Sequence, residues 1–329
     1  MATASKFRLD WFLPAMVGAV GLAWLTPGLG AAGGPLHAET VTKAGVMIVF
    51  FVYGLTLSFA ALKGGAANWR LHLAVQAGTF VIFPIAGWVL VNVAAPWLSP
   101  ELRFGFIYLC VLPSTISSSV ALTGVARGNV PGAVFNATLS SLLGVMLTPV
   151  LLYALAGVKG GQGAIGAAIL DIARLLVLPM MVGQLCRPVL AAWAGRHRAA
   201  LQLTDRLLIL FLIYASFCDS FMRGVWGGHG VALLTSVTVG AGGLFVAVLL
   251  TMVGVARALG FAHGDRVALL FCGSTKSLAQ GVTMAKVLLA AHPASGLVLL
   301  PLMIYHALQL LVGGVLAPPW GRAGGAEQA

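Results

Sequence analysis

The chain has 329 residues, 60% of them hydrophobic and only 8% charged. A water-soluble domain carries about 25% charged residues, so this composition excludes a soluble globule and points to an integral membrane protein. The formal net charge of +11 comes without basic clusters interleaved with aromatic residues, which argues against a nucleic-acid partner and leaves the lipid bilayer as the expected surroundings.

Apolar runs lie near 11–29, 41–62, 71–95, 104–125, 131–156, 164–190, 203–222, 231–257, 266–290 and 295–318. Many reach the roughly 20 residues that cross about 30 Å of hydrocarbon. The expected fold is therefore an all-α polytopic membrane protein with ten transmembrane helices and no attached soluble domain. The first run follows Lys6 and Arg8, as a secretory leader would. It is long and ends in glycine-rich turn residues rather than a small-residue cleavage site, so it is read as a retained span. Cys110, Cys186, Cys218 and Cys272 are scattered singly through apolar stretches, which suits packing rather than disulfides or a metal site. No HExxH pair, nucleophile elbow or Walker loop occurs, so no enzyme and no cofactor are expected.

Lysine and arginine sort unevenly between the two sides of these spans. Lys6, Arg8, Lys63, Arg70, Arg127, Arg187, Arg196, Arg198, Arg206, Arg257, Arg266 and Arg322 fall on one side, and Lys43, Arg103, Lys159, Arg223 and Lys286 on the other. The richer side is cytoplasmic by the positive-inside rule. Both termini are expected there, in the plasma (inner) membrane.

The two halves resemble each other. Leu13-Pro14-Ala15-Met16-Val17-Gly18 in span 1 matches Leu178-Pro179-Met180-Met181-Val182-Gly183 in span 6, and Phe50 with Tyr53 matches Phe211 with Tyr214. Ser114, Thr115, Ser117 and Thr123 in span 4 match Ser274, Thr275, Ser277 and Thr283 in span 9. The matches keep their order at nearly constant offset. Five spans per copy is an odd number, so the second copy enters the membrane upside down, a construction that recurs in secondary transporters. The repeats are expected at 1–159 and 160–329.

Polar residues interrupt two spans at corresponding places. Span 4 carries Pro113-Ser114-Thr115-Ile116-Ser117-Ser118-Ser119 and span 9 carries Gly273-Ser274-Thr275-Lys276-Ser277. Non-helical backbone at membrane depth survives only where it is buried in protein or lines a wet cavity, and paired interruptions of this kind point to a transport site. The candidate substrate- and ion-binding residues are Ser114, Thr115, Ser117, Ser118, Ser119, Thr123, Asn136, Thr138, Ser274, Thr275, Lys276, Ser277, Gln280 and His306. Asn136 and Thr138 are expected to face span 4 across a tight hairpin, while Gln76, Thr79 and Gln309 are further polar groups inside spans. Lys276 is the sharpest residue, since an intramembrane lysine is costly. It can attract an anionic substrate, replace a bound metal ion with a fixed cation, titrate a proton, or be neutralised by main-chain carbonyls.

Val125-Ala126-Arg127-Gly128-Asn129-Val130, followed by Leu147-Thr148-Pro149, resembles the span 4–5 hairpin of the bile acid:sodium symporter superfamily. Ile116 to Thr123, Phe135-Asn136, Phe271-Cys272, Lys276-Ser277-Leu278 and Ile304-Tyr305-His306 with Gln309 are similar to its sodium/bile acid cotransporter 7-like branch. The resemblance implies a panel domain of spans 1, 2, 6 and 7, a core domain of spans 3, 4, 5, 8, 9 and 10, and broken spans 4 and 9 crossing near the substrate. It also implies a secondary active transporter moving a small or amphipathic organic anion by alternating access, with sodium as a coupling ion. In the better-known branch sodium is held by a Ser-Asn pair on span 4, hydroxyls on span 5, and a Glu and Gln on span 9. Aligned on Gly128-Asn129-Val130, the first pair falls on Ser119-Val120, the span 5 hydroxyls fall on Ala133 and Ala137, and no acidic residue lies between Asp265 and Glu327. Those sodium ligands are therefore expected to be lost, with Lys276 supplying the positive charge; if sodium does bind, the oxygens on offer are near Ser119, Thr123 and Asn136. A proton-coupled or uncoupled carrier, and a regulatory membrane protein with a degenerate site, are the competing readings. No dimerisation stripe stands out, so no oligomeric state is assigned.

Overall fold

The computed structural model describes residues 11–56, 67–156, 170, 173–224, 231–289 and 294–327. Among these the chain is helical, with no strand. The physical reason is the solvent: in hydrocarbon no water meets a free N–H or C=O, so the backbone must satisfy itself. Apart from the single turn Pro27–Gly30, the helices in chain order are α1 (Phe12–Leu25), α2 (Ala38–Thr56), α3 (Trp69–Val93), α4 (Pro100–Val111), α5 (Ser117–Val125) and α6 (Val130–Ala156). They continue as α7 (Arg174–Arg196), α8 (Arg198–Met222), α9 (Val231–Ala258), α10 (His263–Ser274), α11 (Leu278–Leu288) and α12 (Ser295–Glu327).

Seven of them, α2, α3, α6, α7, α8, α9 and α12, are long and apolar enough to cross a membrane. The two interruptions read from the sequence are real breaks. Residues 112–116 part α4 from α5, and 275–277 part α10 from α11. Outer faces are apolar: Leu185 and Val189 on α7 are 76% and 81% exposed, which suits contact with lipid. Exposed tryptophans lie at or near helix ends at Trp11, Trp24, Trp69, Trp97 and Trp193, as interfacial residues do. The boundary between the sequence repeats and Lys6, Arg8, Lys63 and Lys159 lie outside the described residues.

The helices pack as two groups. In one, α2 lies along α7 and α1 along α8; in the other, α4 packs on α12, α9 on α10 and α12, and α5 and α6 on α10. The main contacts between the groups run from α11 and α12 to α8, with α11 also touching α2. Gly296 N there donates to Ser220 Oγ at 2.9 Å. On the opposite face the second group is tied by Asp265, which accepts from Asn68 Nδ2 at 2.6 Å and from Asn129 Nδ2 at 2.7 Å. Arg70 reaches Leu259 O at 3.1 Å on the same face. α5 and α9 end there alike. Gly128 N donates back to Thr123 O and Phe261 N to Ala256 O, with Arg127 and Gly260 at positive φ.

The α2–α7 seam depends on two glycines. A Cβ on Gly54 would lie 1.9 Å from Met180 O, and one on Gly183 would lie 2.1 Å from Phe51 O. Backbone cannot yield as a side-chain tip can, so Gly54→Val is expected to destabilise by about 3 kcal/mol. Gly254→Val, where the added atom meets open space, should leave the thermal unfolding midpoint of the purified protein near wild type.

Candidate functional site

The end of α4 poses an accounting problem. A helix C-terminus leaves its last four carbonyls without intrahelical partners, and Pro113 brings no N–H to help. The structure supplies donors to four successive carbonyls, from the last turn of α4 into the break: those of Cys110, Val111, Leu112 and Pro113. Lys276 Nζ donates to Cys110 O at 2.8 Å and to Leu112 O at 2.6 Å. Thr148 Oγ1 donates to Val111 O at 2.8 Å, and Ser277 N to Pro113 O at 2.9 Å. Ser114 N finds Ser140 Oγ at 3.0 Å, and the Ser114 and Thr275 hydroxyls meet at 3.1 Å. The two breaks are stitched to each other.

The third hydrogen of the Lys276 ammonium goes to Thr79 O at 3.0 Å. That carbonyl is free for a local reason. Residues Gly78–Ile82 form a π turn in α3, in which Phe83 N bonds Gly78 O. The next donor in that pattern would belong to Pro84, which has none. The Phe83 ring centroid lies 4.1 Å from Nζ, within cation–π range. The side chain is 0% exposed. Its charge sits at the negative end of the α4 dipole.

Further side chains hold the crossing in shape. Gln309 pairs with both main-chain groups of Lys276, accepting from N at 2.8 Å and donating to O at 3.0 Å, and also donates to His306 Nδ1 at 2.8 Å. Tyr305 and Tyr108 donate to Ser274 O and Gly281 O at 2.6 and 2.5 Å.

The residues expected at the site divide into three sets. Ser114, Thr115, Ser274, Thr275, Lys276 and Ser277 are buried at the crossing, with His306 beside it. Ser119 turns its hydroxyl to Thr115 O in the break just before α5, and Thr123, Ser274 and Thr283 turn theirs to carbonyls of their own helices. Asn136 donates to Gly132 O, and Gln76 Nε2 reaches its O at 3.1 Å and its Oδ1 at 3.3 Å, tying it to α3. Thr138 is buried in α6.

The helix starts beyond the breaks form the third set, and they are unlike. α11 begins buried, with Ser277 Oγ accepting from Gln280 N. α5 begins exposed. Ile116 precedes it with no side-chain cap and is 42% exposed, and Ser117 is exposed beside it. Among the described residues, Ser118 Oγ and Gln280 Oε1 are buried without hydrogen-bond partners.

Tyr108, Ser140 and the Phe83-Pro84 pair are not singled out by the sequence, and Thr148 enters there only within the Leu147-Thr148-Pro149 motif. Their signal was a proline inside span 3 and hydroxyls in spans 4 and 5, indistinguishable there from packing residues. Gln309→Leu would leave the buried N–H and C=O of Lys276 unpaired, each worth about 1–3 kcal/mol. A clearly lower thermal midpoint with unchanged helix content by circular dichroism is the expected result.

The model of the SBF-like CPA transporter family matches residues 10–322. The chain is 41% identical over 317 residues to the Pseudomonas aeruginosa protein PA2026, covering 96% of this chain and 94% of that one. It is 33% identical over 321 residues to sodium/bile acid cotransporter 7 of Danio rerio, covering 97% and 95%. The Mus musculus protein of the same name is 32% identical over 321 residues, covering 97% and 94%. The family and these cotransporters are transporters rather than enzymes. With a match that runs through both breaks and α12, and with helices built for lipid, the chain belongs to the SBF-like CPA transporter family and is a multi-pass membrane transporter.

Proposed function

We propose that this chain is a secondary active transporter that carries a small or amphipathic organic anion by alternating access. In this reading α4 with α5 makes span 4, α10 with α11 makes span 9, and α1 is span 1, so that ten spans form two inverted five-helix repeats, 1–159 and 160–329. The panel is α1, α2, α7 and α8, and the core is the rest. Both termini face the cytoplasm of the plasma (inner) membrane, on the side that carries Arg70, Arg127, Arg257 and Arg266.

The asymmetry between the two half-helices carries this reading. α11 is packed against α8 and α2, whereas the principal contacts of α5 are to α6, α10 and α12. Repeat-related elements in unlike settings are what one state of an inverted-repeat carrier presents, since the two copies exchange settings to open the other side. The exposed start of α5 offers free amides and the positive end of a helix, a suitable seat for an anionic group. Ser117 and Ser118 flank it.

Sodium coupling comes from the names of the relatives and is the weaker part. Ser119, Thr123 and Asn136 offer oxygens for sodium, yet α11 has no carboxylate, and Lys276 already places a positive charge at the crossing. That lysine favours a second reading, a proton-coupled or uncoupled carrier. Uptake of labelled organic anions into proteoliposomes under imposed sodium or proton gradients separates the two. Ser118→Val is expected to reduce uptake about tenfold, the order of one lost charge-assisted contact. In a Cys186→Ala background, Ser117→Cys should react with a water-soluble thiol reagent and be protected by substrate, while Ser277→Cys stays unreactive in the same state. Absence of uptake for every anion, with equal reactivity at both positions, would replace the carrier with a regulatory protein.

A further inference from the structure

The atoms around Lys276 Nζ are those that hold a bare monovalent cation elsewhere in proteins. Three main-chain oxygens, those of Thr79, Cys110 and Leu112, converge at 3.0, 2.8 and 2.6 Å, and the face of Phe83 closes a further side at 4.1 Å. Carbonyl rings at such spacing replace a hydration shell in potassium filters. A carbonyl dipole does not recognise an amine as such; it responds to positive charge of suitable size, and an ammonium group and a potassium ion are of similar size.

None of the three oxygens has an obvious alternative donor. Two belong to the frayed end of α4, and the third is orphaned by Pro84 in the π turn of α3. Three carbonyl acceptors also require three hydrogens, since a neutral amine would turn its lone pair on one of them. The cage thus accepts a cation. Its negative potential comes from two independent elements, so it would persist if the lysine were shortened. Cys110 and Leu112 precede the break in α4–α5, Thr79 lies on α3, and the lysine comes from the break between α10 and α11. The charge therefore joins α3, the end of α4 and the break between α10 and α11 at the crossing itself.

We propose that the oxygens of Thr79, Cys110 and Leu112 with the ring of Phe83 form a monovalent-cation site, filled by the tethered ammonium of Lys276. Shortening that side chain should convert the protein into one that takes a potassium or sodium ion, or a small alkylammonium, from solution. The wild-type protein carries this cation in its sequence and has no need of a dissolved one at this position.

The test compares thermal unfolding of the purified wild type, Lys276→Ala and Lys276→Met in choline, sodium, potassium and n-propylammonium chloride at equal ionic strength. Wild type is expected to unfold at one temperature in all four. Lys276→Ala should unfold several degrees lower in choline, and potassium, sodium or n-propylammonium should raise its midpoint saturably, as a ligand of the folded state does. Lys276→Met fills much of the space without charge and should stay low in every salt. If Lys276→Ala is recoverable only when extracted in a small-cation buffer and aggregates on exchange into choline, the cage is equally supported. Indifference of Lys276→Ala to small cations, aggregation in every salt, or wild-type stability in Lys276→Met would overturn the proposal. Because unfolding is read rather than uptake, its failure is distinguishable from failure of the carrier reading.

Discussion

Four carbonyl groups at the end of α4 lie at membrane depth, where water cannot reach them. Each unsatisfied polar group in hydrocarbon costs several kcal/mol, so an interrupted helix is tolerable only if something else in the protein donates to it. Lys276, Thr148 and Ser277 are that something. Once they are required, the positions of α3, α6, α10 and α12 around the crossing follow, because each carries a donor, an acceptor or the support of one.

A buried ammonium is stabilising only when its desolvation is offset by well-aligned partners. Here the alignment is made twice over. Gln309 fixes the main chain of Lys276 from both sides, and the orphaned Thr79 carbonyl waits on α3 because a π turn runs into Pro84. Small irregularities that would weaken a soluble helix become binding geometry at this depth. The cost of the break, the π turn and the lysine is shared, since each removes a defect that another creates.

Hydrogen bonding at the crossing contrasts with the seam between the two helix groups, where apolar packing predominates. The crossing is sewn by main-chain and hydroxyl hydrogen bonds, and the Asp265 clasp sews the same group at the opposite face. Between the groups, α11 and α12 meet α8 through a continuous apolar core, to which the Gly296–Ser220 hydrogen bond is added. The second group is one hydrogen-bonded body around the crossing. The bare start of α5 is the part of that body left open.

The membrane class, the helical content and both interruptions were legible in residue types alone, because hydrocarbon admits so few structures that composition and apolar run length already decide among them. The break residues Ser114, Thr275 and Lys276 were also legible, since a polar cluster inside an apolar run has no cheap resting place. The settings of the polar groups were not. Asn136 reads as a partner of span 4 but bonds α3, and Ser119 and Thr123 turn back to Thr115 O and Ser119 O; the choice of acceptor depends on distances across helices that spacing does not carry. For Lys276 the sequence left four roles open. Only the tertiary structure brought three orphaned carbonyls from two elements to one amine, because their convergence is set by how α3, α4 and α10 pack, and no local pattern encodes that meeting.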